Sequence, residues 1–198
     1  MAALLIQDRA PTLRVIPSLR PTNVIIRDER VSDIAARERL LDEAFGPARF
    51  AKTCQRLRDG RTHAHRLALV AKDGKHLVGT LRFWNIEAGD RPALLLGPIA
   101  VAESHRCAGI GSCLIRTGLD RARRFGHRAV LLVGDAPYYS RFGFERRFTE
   151  ALLMPGPVED GRFLGLELAP GALAEAVGLV LATGARVHET AVHLRQAA

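Results

Sequence analysis

Apolar residues recur along the chain with two different periods, which predict helices in some regions and strands in others. Val24 to Arg27 is a short apolar segment typical of a strand. Ser32-Asp33 is a typical helix start, and Gly46-Pro47 should end that helix. The apolar face of this first helix is predicted to comprise Ile34, Ala35, Leu40, Leu41 and Ala44. A second helix is predicted from Ala48 to Leu57.

The pattern changes to strands after His65. Leu67 to Ala71 predicts a strand, Lys72 to Lys75 a hairpin turn, and His76 to Trp84 the returning strand. The segment from Glu87 to Pro92 is predicted to be the next turn. Ala93 to Val101 is a long apolar run, which indicates a strand that is buried on both faces.

The second half of the chain alternates strands with helices. Ile110 to Phe125 predicts a helix that ends at Gly126, and Ala129 to Val133 predicts a central strand. The apolar side of this helix is predicted to include Cys113, Leu114, Leu119 and Ala122. Asp135 and Pro137 are typical of the start of a short helix, which Gly143 would stop.

The last elements are less regular. Phe144 is predicted to begin a strand, and Arg162 to Leu168 another, whereas the tail from Ala172 fits helix and strand equally well. The whole order predicts a mixed α/β fold that begins with antiparallel hairpins and ends in strand–loop–helix–strand.

The length of 198 residues and the absence of repeats or linkers predict one domain. We expect an irregular lead-in over residues 1–21, the domain over 22–170, and a C-terminal extension over 171–198 that packs on the domain or continues it. No apolar run approaches the roughly 20 residues that span a bilayer, so no membrane is expected as a partner. The apolar start is short and lacks a basic leader, so we expect a cytoplasmic protein. The three cysteines lack metal-binding spacing, and no metal is expected.

The charge is strongly positive, with a formal net charge of +8 and an isoelectric point near 10.4. Arginine forms bidentate contacts with phosphates, so an anionic ligand or partner is one explanation, and genomic base composition is the other. A basic group precedes the first hairpin and comprises Arg49, Arg56, Arg58, Arg61 and Arg66. It could attract a carboxylate-bearing amine, an acidic protein such as acyl carrier protein, or RNA; solvated surface arginines explain it equally well.

A glycine-bearing turn joins the apolar strand ending at Val101 to the helix beginning at Ile110. Gly109 and Gly111 lack a Cβ, which lets the backbone bend and approach a ligand. The free N–H groups and the positive dipole end of a helix start favour an anion. A dinucleotide fingerprint would need a third glycine and an NTP-binding loop would need a following lysine, and both are missing.

The segment from Ile99 to Ser112 spells I-A-V-A-E-S-H-R-C-A-G-I-G-S and resembles motif A of the GCN5-related N-acetyltransferase (GNAT) family. Glu103 stands where that family usually has a proline. A second block, D-A-P-Y-Y-S-R-F-G-F from Asp135 to Phe144, resembles the family's motif B, and its wording is similar to the bacterial YhbS-like branch. The resemblance covers roughly residues 22–170.

The resemblance implies a mixed central sheet that splays between the motif A strand and the next parallel strand, with acetyl-CoA lying in the gap. Backbone groups of Ile99 and Val101 would pair with the pantetheine arm. The pyrophosphate would lie on a run of consecutive residues: Arg106, Cys107, Ala108, Gly109, Ile110, Gly111 and Ser112. The implied activity is transfer of an acetyl or other acyl group to a primary amine of a small molecule or protein.

The same resemblance implies that Tyr139 protonates the departing coenzyme A thiolate, with Tyr138 as the packing residue of the pair; the reverse assignment stays open. Leu95 and Gly97 occupy the positions at which many relatives carry a base. Glu87, Asp90 and a water relay are the alternatives, and Glu103 and His105 lie at the phosphate end.

Two hypotheses therefore stand. The first is an acyl-CoA-dependent N-acetyltransferase. The second is a non-catalytic acyl-CoA-binding sensor, or a basic module that binds RNA or an acidic protein. Cys107 and Cys113 are interpreted as small packing residues rather than nucleophiles. The acceptor, the acyl chain length and the oligomeric state, including a homodimer, stay open.

Overall fold

The computed structural model describes residues 24–187. The predicted lead-in and residues 188–198 of the predicted extension lie outside this range. The strands are β1 (Val24–Asp28), β2 (Ala68–Asp73), β3 (His76–Ala88), β4 (Arg91–Val101), β5 (Ala129–Val133), β6 (Leu152–Leu153), β7 (Phe163–Glu167) and β8 (Gly178–Ala182). The helices are α1 (Ile34–Phe45), α2 (Thr53–Arg56), α3 (Ile110–Arg124) and α4 (Ala136–Tyr139).

The sheet follows the order β1-β2-β3-β4-β5-β7, with β8 added beside β3 and β6 beside β8. The pairs β1–β2, β2–β3, β3–β4 and β5–β7 are antiparallel, whereas β4–β5 is parallel. A parallel pair needs a crossover, and α3 provides it. The predicted mixed α/β fold is confirmed.

Side chains alternate across the two faces of the central strands, as a period of two requires. On one face, Leu94 and Leu96 of β4 pack in the same cluster as Leu114 and Ile115 of α3. On the other face, Leu95 lies in a second cluster, in which strand residues pack against the segment after α4. This double coverage explains why the predicted strand appears as a continuous apolar run.

The first long turn is shorter than predicted. β3 continues to Ala88 and β4 begins at Arg91, so the turn consists of Gly89 and Asp90 rather than Glu87 to Pro92. Gly89 has a φ of +65°, a conformation that glycine adopts without strain. The ladder between β3 and β4 continues to the Ala88–Arg91 pair, and β8 also pairs with β3 through Ile86 to Ala88.

The predicted helix from Ala48 to Leu57 is wrong. The segment forms a 3₁₀ turn over Pro47–Ala51 and the single-turn helix α2, because Lys52 between them is extended with φ −67° and ψ 140°. The predicted face of α1 is partly wrong as well. Leu40 and Leu41 are buried and Ala44 is partly buried, but Ile34 and Ala35, at the start of the helix, are exposed.

Two further expectations need correction. Phe144 does not begin a strand: Glu145 forms an isolated bridge with Gly165, and a 3₁₀ turn follows over Arg146–Phe148. Cys113 is exposed rather than part of the apolar side of α3. The ambiguous tail forms turns followed by β8, which adds to the sheet.

Within residues 24–187, no helix is long and apolar enough to cross a membrane. In the same range, no cluster of three or more histidine, cysteine, aspartate or glutamate side chains is arranged to hold a metal ion.

Candidate active site

The parallel strands β4 and β5 separate partway along their length. They pair at Leu94 with Val130 and at Leu95 with Leu131, and β4 then diverges toward Val101. A bulge lies at the point of divergence, because the register shifts between the Leu81–Ile99 and Phe83–Leu96 pairs. Two residues of β4, Gly97 and Pro98, therefore face one residue of β3, which bends β4 away from β5.

The bulge is held by a buried side chain. The indole N–H of Trp84 on β3 donates a 2.6 Å hydrogen bond to the Gly97 carbonyl oxygen. The sequence showed Trp84 as an ordinary strand residue, and nothing in its spacing indicated this contact. The hydrogen bond fixes the point at which the gap between the strands opens.

The open edge of β4 presents backbone groups of two predicted residues. The Ala102 N–H donates to the Val78 carbonyl oxygen of β3 at 2.9 Å. Because alternate residues of a strand direct their backbone groups to opposite edges, those of Ile99 and Val101 face away from β3, toward the gap. The geometry supports their assignment as groups that pair with an extended ligand.

The predicted phosphate loop lies between β4 and α3. The first helical hydrogen bond runs from the Cys113 N–H to the Gly109 carbonyl oxygen. The N–H groups of residues 107–112 donate no hydrogen bond within the described part of the chain. Unpaired donors at the positive end of a 15-residue helix favour an anion.

The loop reaches this arrangement through two left-handed residues. Gly109, the N-cap of α3, has φ +77°, and Cys107 has φ +62°. A residue with a Cβ is strained in that region. The sequence indicated the glycine but not the strain at Cys107. Arg106 is exposed, and its side chain has no hydrogen-bond or ion-pair partner in residues 24–187, so its guanidinium is available to an anion.

The two tyrosines of α4 point to different parts of the site. An added Cβ at Gly111 would lie 3.0 Å from the Tyr138 hydroxyl, so this hydroxyl lies against the first turn of α3. An added Cβ at Gly134 would lie 2.2 Å from Cε2 of Tyr139, so the Tyr139 ring lies against the end of β5. Gly134 is a residue that sequence reasoning missed. It leaves the space that the Tyr139 ring occupies.

The Tyr139 phenol is kept protonated by its surroundings. Burial raises its pKa to about 12, and the neighbouring Tyr138 and Asp135 act in the same direction. The predicted cap of α4 is confirmed, since the Asp135 carboxylate accepts from the Tyr138 N–H at 3.1 Å. The Tyr139 hydroxyl therefore carries its proton at neutral pH.

A cleft of about 970 Å³ opens where the strands separate. Its floor includes Gly97 and Ile99 of β4, and one wall carries both tyrosines. The opposite walls come from residues 45–58 and 157–162. Four cations and two carboxylates line it: Arg49, Lys52, Arg58, Arg162, Asp135 and Glu159. None of the loop residues 106–112 belongs to this lining, so the loop and the cleft are separate parts of the candidate site.

A chain of ion pairs holds one wall of the cleft. Arg37 of α1 pairs with the buried carboxylate of Glu29 and with Glu38. Glu38 and Asp42 both accept from Arg49, which lines the cleft. Arg49 is therefore neutralised by its neighbours. Burial alone would lower its pKa, but the hydrogen bonds to Glu38 and Asp42 raise it above its ordinary value.

The candidate bases from the sequence do not line the cleft. Glu87 lies in β3 opposite Pro92, and Asp90 lies in the turn. Among the described residues that line the cleft, the carboxylates are those of Asp135 and Glu159. Sequence reasoning missed Glu159 because a lone glutamate between Val158 and Asp160 carries no pattern.

The comparisons with known proteins agree with this geometry. A sequence profile described as "Acetyltransferase (GNAT) family" matches residues 30–144, which is more than half of the chain. The chain belongs to the GNAT acetyltransferase family. This GNAT protein is 32% identical over 160 residues to the uncharacterized N-acetyltransferase YhbS of Escherichia coli K12, an alignment that covers 79% of this chain and 95% of YhbS. It is 33% identical over 106 residues to the uncharacterized N-acetyltransferase YjhQ of the same organism, covering 52% of this chain and 59% of YjhQ.

Two solved structures are similar over most of their length. YhbS of E. coli in complex with CoA matches with a TM-score of 0.70 and 31% identity, covering 88% of this chain and 93% of that one. A GNAT acetyltransferase of Brucella melitensis in complex with acetyl-CoA matches with a TM-score of 0.58 and 29% identity, covering 75% and 90%. The predicted family, its YhbS-like branch and the GNAT fold are confirmed. These relatives carry the names of acetyltransferases, so they do not favour the non-catalytic alternative.

Proposed function

We propose that this GNAT protein is an N-acetyltransferase that moves the acetyl group of acetyl-CoA directly to a primary amine of a small molecule or protein. The observation that carries the proposal is the position of Tyr139, a protonated phenol on the wall of the cleft that opens between β4 and β5. The complexes of the two similar structures with CoA and acetyl-CoA support the choice of donor.

The donor would be held by main-chain groups. Its pyrophosphate would accept hydrogen bonds from the N–H groups of Cys107 to Ser112, with Arg106 as a nearby cation. Its pantetheine arm would pair with Ile99 and Val101 as an added strand pairs with a sheet edge. The thioester would then lie in the cleft beside Tyr139.

Direct transfer requires the movement of two protons. The attacking amine loses a proton as its nitrogen forms a bond to the acetyl carbon, and the C–S bond then breaks. The thiolate that leaves takes a proton from the Tyr139 hydroxyl. Because Asp135 already caps α4, Glu159 is the cleft carboxylate that remains to accept the proton of the amine.

The test is a measurement of CoA binding together with amine-dependent release of CoA from acetyl-CoA. CoA should be measured by chromatography, because exposed Cys107 and Cys113 would react with a thiol reagent. We expect CoA to bind the wild type, and Arg106→Gln to bind it more weakly. Absence of CoA binding would refute the proposal, as would binding without acetylation of any amine in a panel of small amines and lysine peptides.

A further inference from the structure

Arg58 is an unusual cation in the wall of the cleft. It follows α2, its exposed fraction is 9%, and charged side chains are rarely buried to this degree without a partner. Its Nε donates a 3.1 Å hydrogen bond to the Cys54 carbonyl oxygen. No carboxylate within residues 24–187 lies at salt-bridge distance from its guanidinium.

The terminal nitrogens of Arg58 stay available. Nη1 and Nη2 donate no hydrogen bond in the described part of the chain. Neither atom is completely enclosed by protein, so both keep some accessible surface. Since the side chain lines the cleft, these two nitrogens are reached from the cleft. Two parallel N–H groups of a guanidinium match the geometry of a carboxylate or a phosphate.

The other cations of the cleft differ from Arg58. Arg49 is paired with Glu38 and Asp42, and Lys52 lies over the ring of Phe45 at 4.7 Å. Arg162 is exposed to water. Burial lowers the pKa of Arg58, which shows that its charge is poorly solvated. A buried, unpaired charge gains most from an anion that enters the site.

The donor's phosphates do not satisfy this cation in the proposed arrangement, because the loop 106–112 contributes nothing to the lining of the cleft. We propose that Arg58 binds an oxyanion, a carboxylate or a phosphate, on the amine that accepts the acetyl group. The acceptor class is therefore a small amine that carries an acidic group. This inference rests on the proposed function for the identity of the second substrate, and on the geometry of Arg58 for the anion.

The experiment compares matched pairs of amines that differ in the oxyanion alone. The probes are the common amino acids against their decarboxylated amines, and O-phosphoethanolamine against ethanolamine, which distinguishes carboxylate from phosphate. Binding to the CoA-loaded protein is measured by calorimetry, and acetylation by chromatography of released CoA. We expect at least one oxyanion member to bind roughly ten-fold or more tightly than its counterpart, as a charge-assisted bidentate contact allows.

Three variants connect the preference to Arg58. Arg58→Gln should abolish the preference for the oxyanion amine without weakening CoA binding, and Arg58→Lys should keep part of that preference. Arg39→Gln is the matched control, since Arg39 is exposed on α1, outside the cleft, and its replacement removes the same charge. Thermal unfolding shows which variants are folded, and the comparison of paired amines on the wild type needs no variant.

The outcomes separate the inference from the proposed function. If no oxyanion amine is preferred, or if the preference persists in Arg58→Gln, the inference is overturned even when neutral amines are acetylated. It is also overturned if the protein prefers succinyl-CoA to acetyl-CoA and loses this preference in Arg58→Gln. The oxyanion that Arg58 binds would then lie on the acyl group. Arg58-dependent anion binding without any acetylation would instead refute the proposed function and leave the anion site standing.

Discussion

The indole nitrogen of Trp84 lies 2.6 Å from the carbonyl oxygen of Gly97. This buried hydrogen bond joins β3 to the bulge of β4, where the two parallel strands begin to separate. The width of the gap between the strands thus depends on a side chain that does not itself line the cleft.

Replacing Trp84 by Phe should leave the Gly97 carbonyl oxygen without its donor. An unsatisfied buried acceptor costs about 1–3 kcal/mol, and the smaller ring adds a packing loss. We expect the free energy of unfolding to fall by at least that amount in urea denaturation, and kcat to fall with it as the bulge loosens. Unchanged stability would show that the hydrogen bond does not hold the bulge.

Replacing Tyr139 by Phe should remove the proton donor for the thiolate. We expect kcat to fall about 10²–10⁴-fold, the usual contribution of a positioned acid, with CoA affinity unchanged. Tyr138→Phe is the matched control and should keep most of the turnover. Because the pKa of Tyr139 is about 12, its ionisation should cause no loss of activity between pH 7 and pH 10. Equal losses in the two variants would contradict the assignment of roles.

Cys107→Gly should stabilise the protein. Cys107 has a φ of +62°, which is strained for a residue with a Cβ and relaxed for glycine. We expect the free energy of unfolding to rise by up to about 1 kcal/mol. This figure allows for the conformational entropy that glycine adds to the unfolded chain. The matched change Ala108→Gly, outside that conformation, should destabilise. Retained turnover in Cys107→Gly would also exclude this thiol as a nucleophile.

Gly118→Ala should destabilise the contact between α3 and β3. A Cβ at this position would lie 2.5 Å from Cε2 and 2.8 Å from Cζ of Phe83, which is itself fully buried. Overpacking of this kind costs about 1–3 kcal/mol and outweighs the gain in helix propensity. Asp120→Ala, at an exposed position of the same helix, should change the unfolding free energy by less than about 0.5 kcal/mol.

Asp33 should contribute to stability at acidic pH in a defined range. The hydrogen bond from Arg27 lowers its pKa from the ordinary value of 3.8 to about 2, and the Arg30 N–H adds to this effect. A carboxyl group with a lowered pKa stabilises the fold above its ordinary pKa, and this stabilisation is lost as the pH falls toward 2. Asp33→Asn should therefore be less stable than the wild type at pH 6, and the difference should shrink between pH 4 and pH 2. A constant difference would refute the ion pair.

The parts of the site that follow from local sequence were predicted, and those that depend on distant contacts were not. Gly109 and the start of α3 could be located because a strand, a glycine turn and an amphipathic helix leave signals at neighbouring positions. The cap of α4 by Asp135 is local in the same sense. The contact of Tyr139 with Gly134 depends on how α4 folds back on β5, which no spacing in the sequence records.

The burial of Arg58 could not be predicted from the sequence either. An arginine close to several others is expected on a solvated surface, and no local pattern shows that α2 contacts a segment about a hundred positions away, where the Thr53 hydroxyl donates to the Pro157 carbonyl oxygen. The limits of β3 were missed for a related reason. The hairpin with β4 continues to the Ala88–Arg91 pair, and β8, which comes late in the chain, pairs with the same end of β3.

The free N–H groups of residues 107–112 belong to the main chain, and mutation of most side chains leaves them in place. The opposite wall of the cleft consists of side chains on a 3₁₀ turn, a one-turn helix and an irregular segment, none of which contributes a strand to the sheet. Point mutations can therefore change one half of the site while the other half is conserved by geometry. In the evolution of such a protein, or in its redesign, acceptor preference can diverge rapidly among close relatives that all keep the same donor.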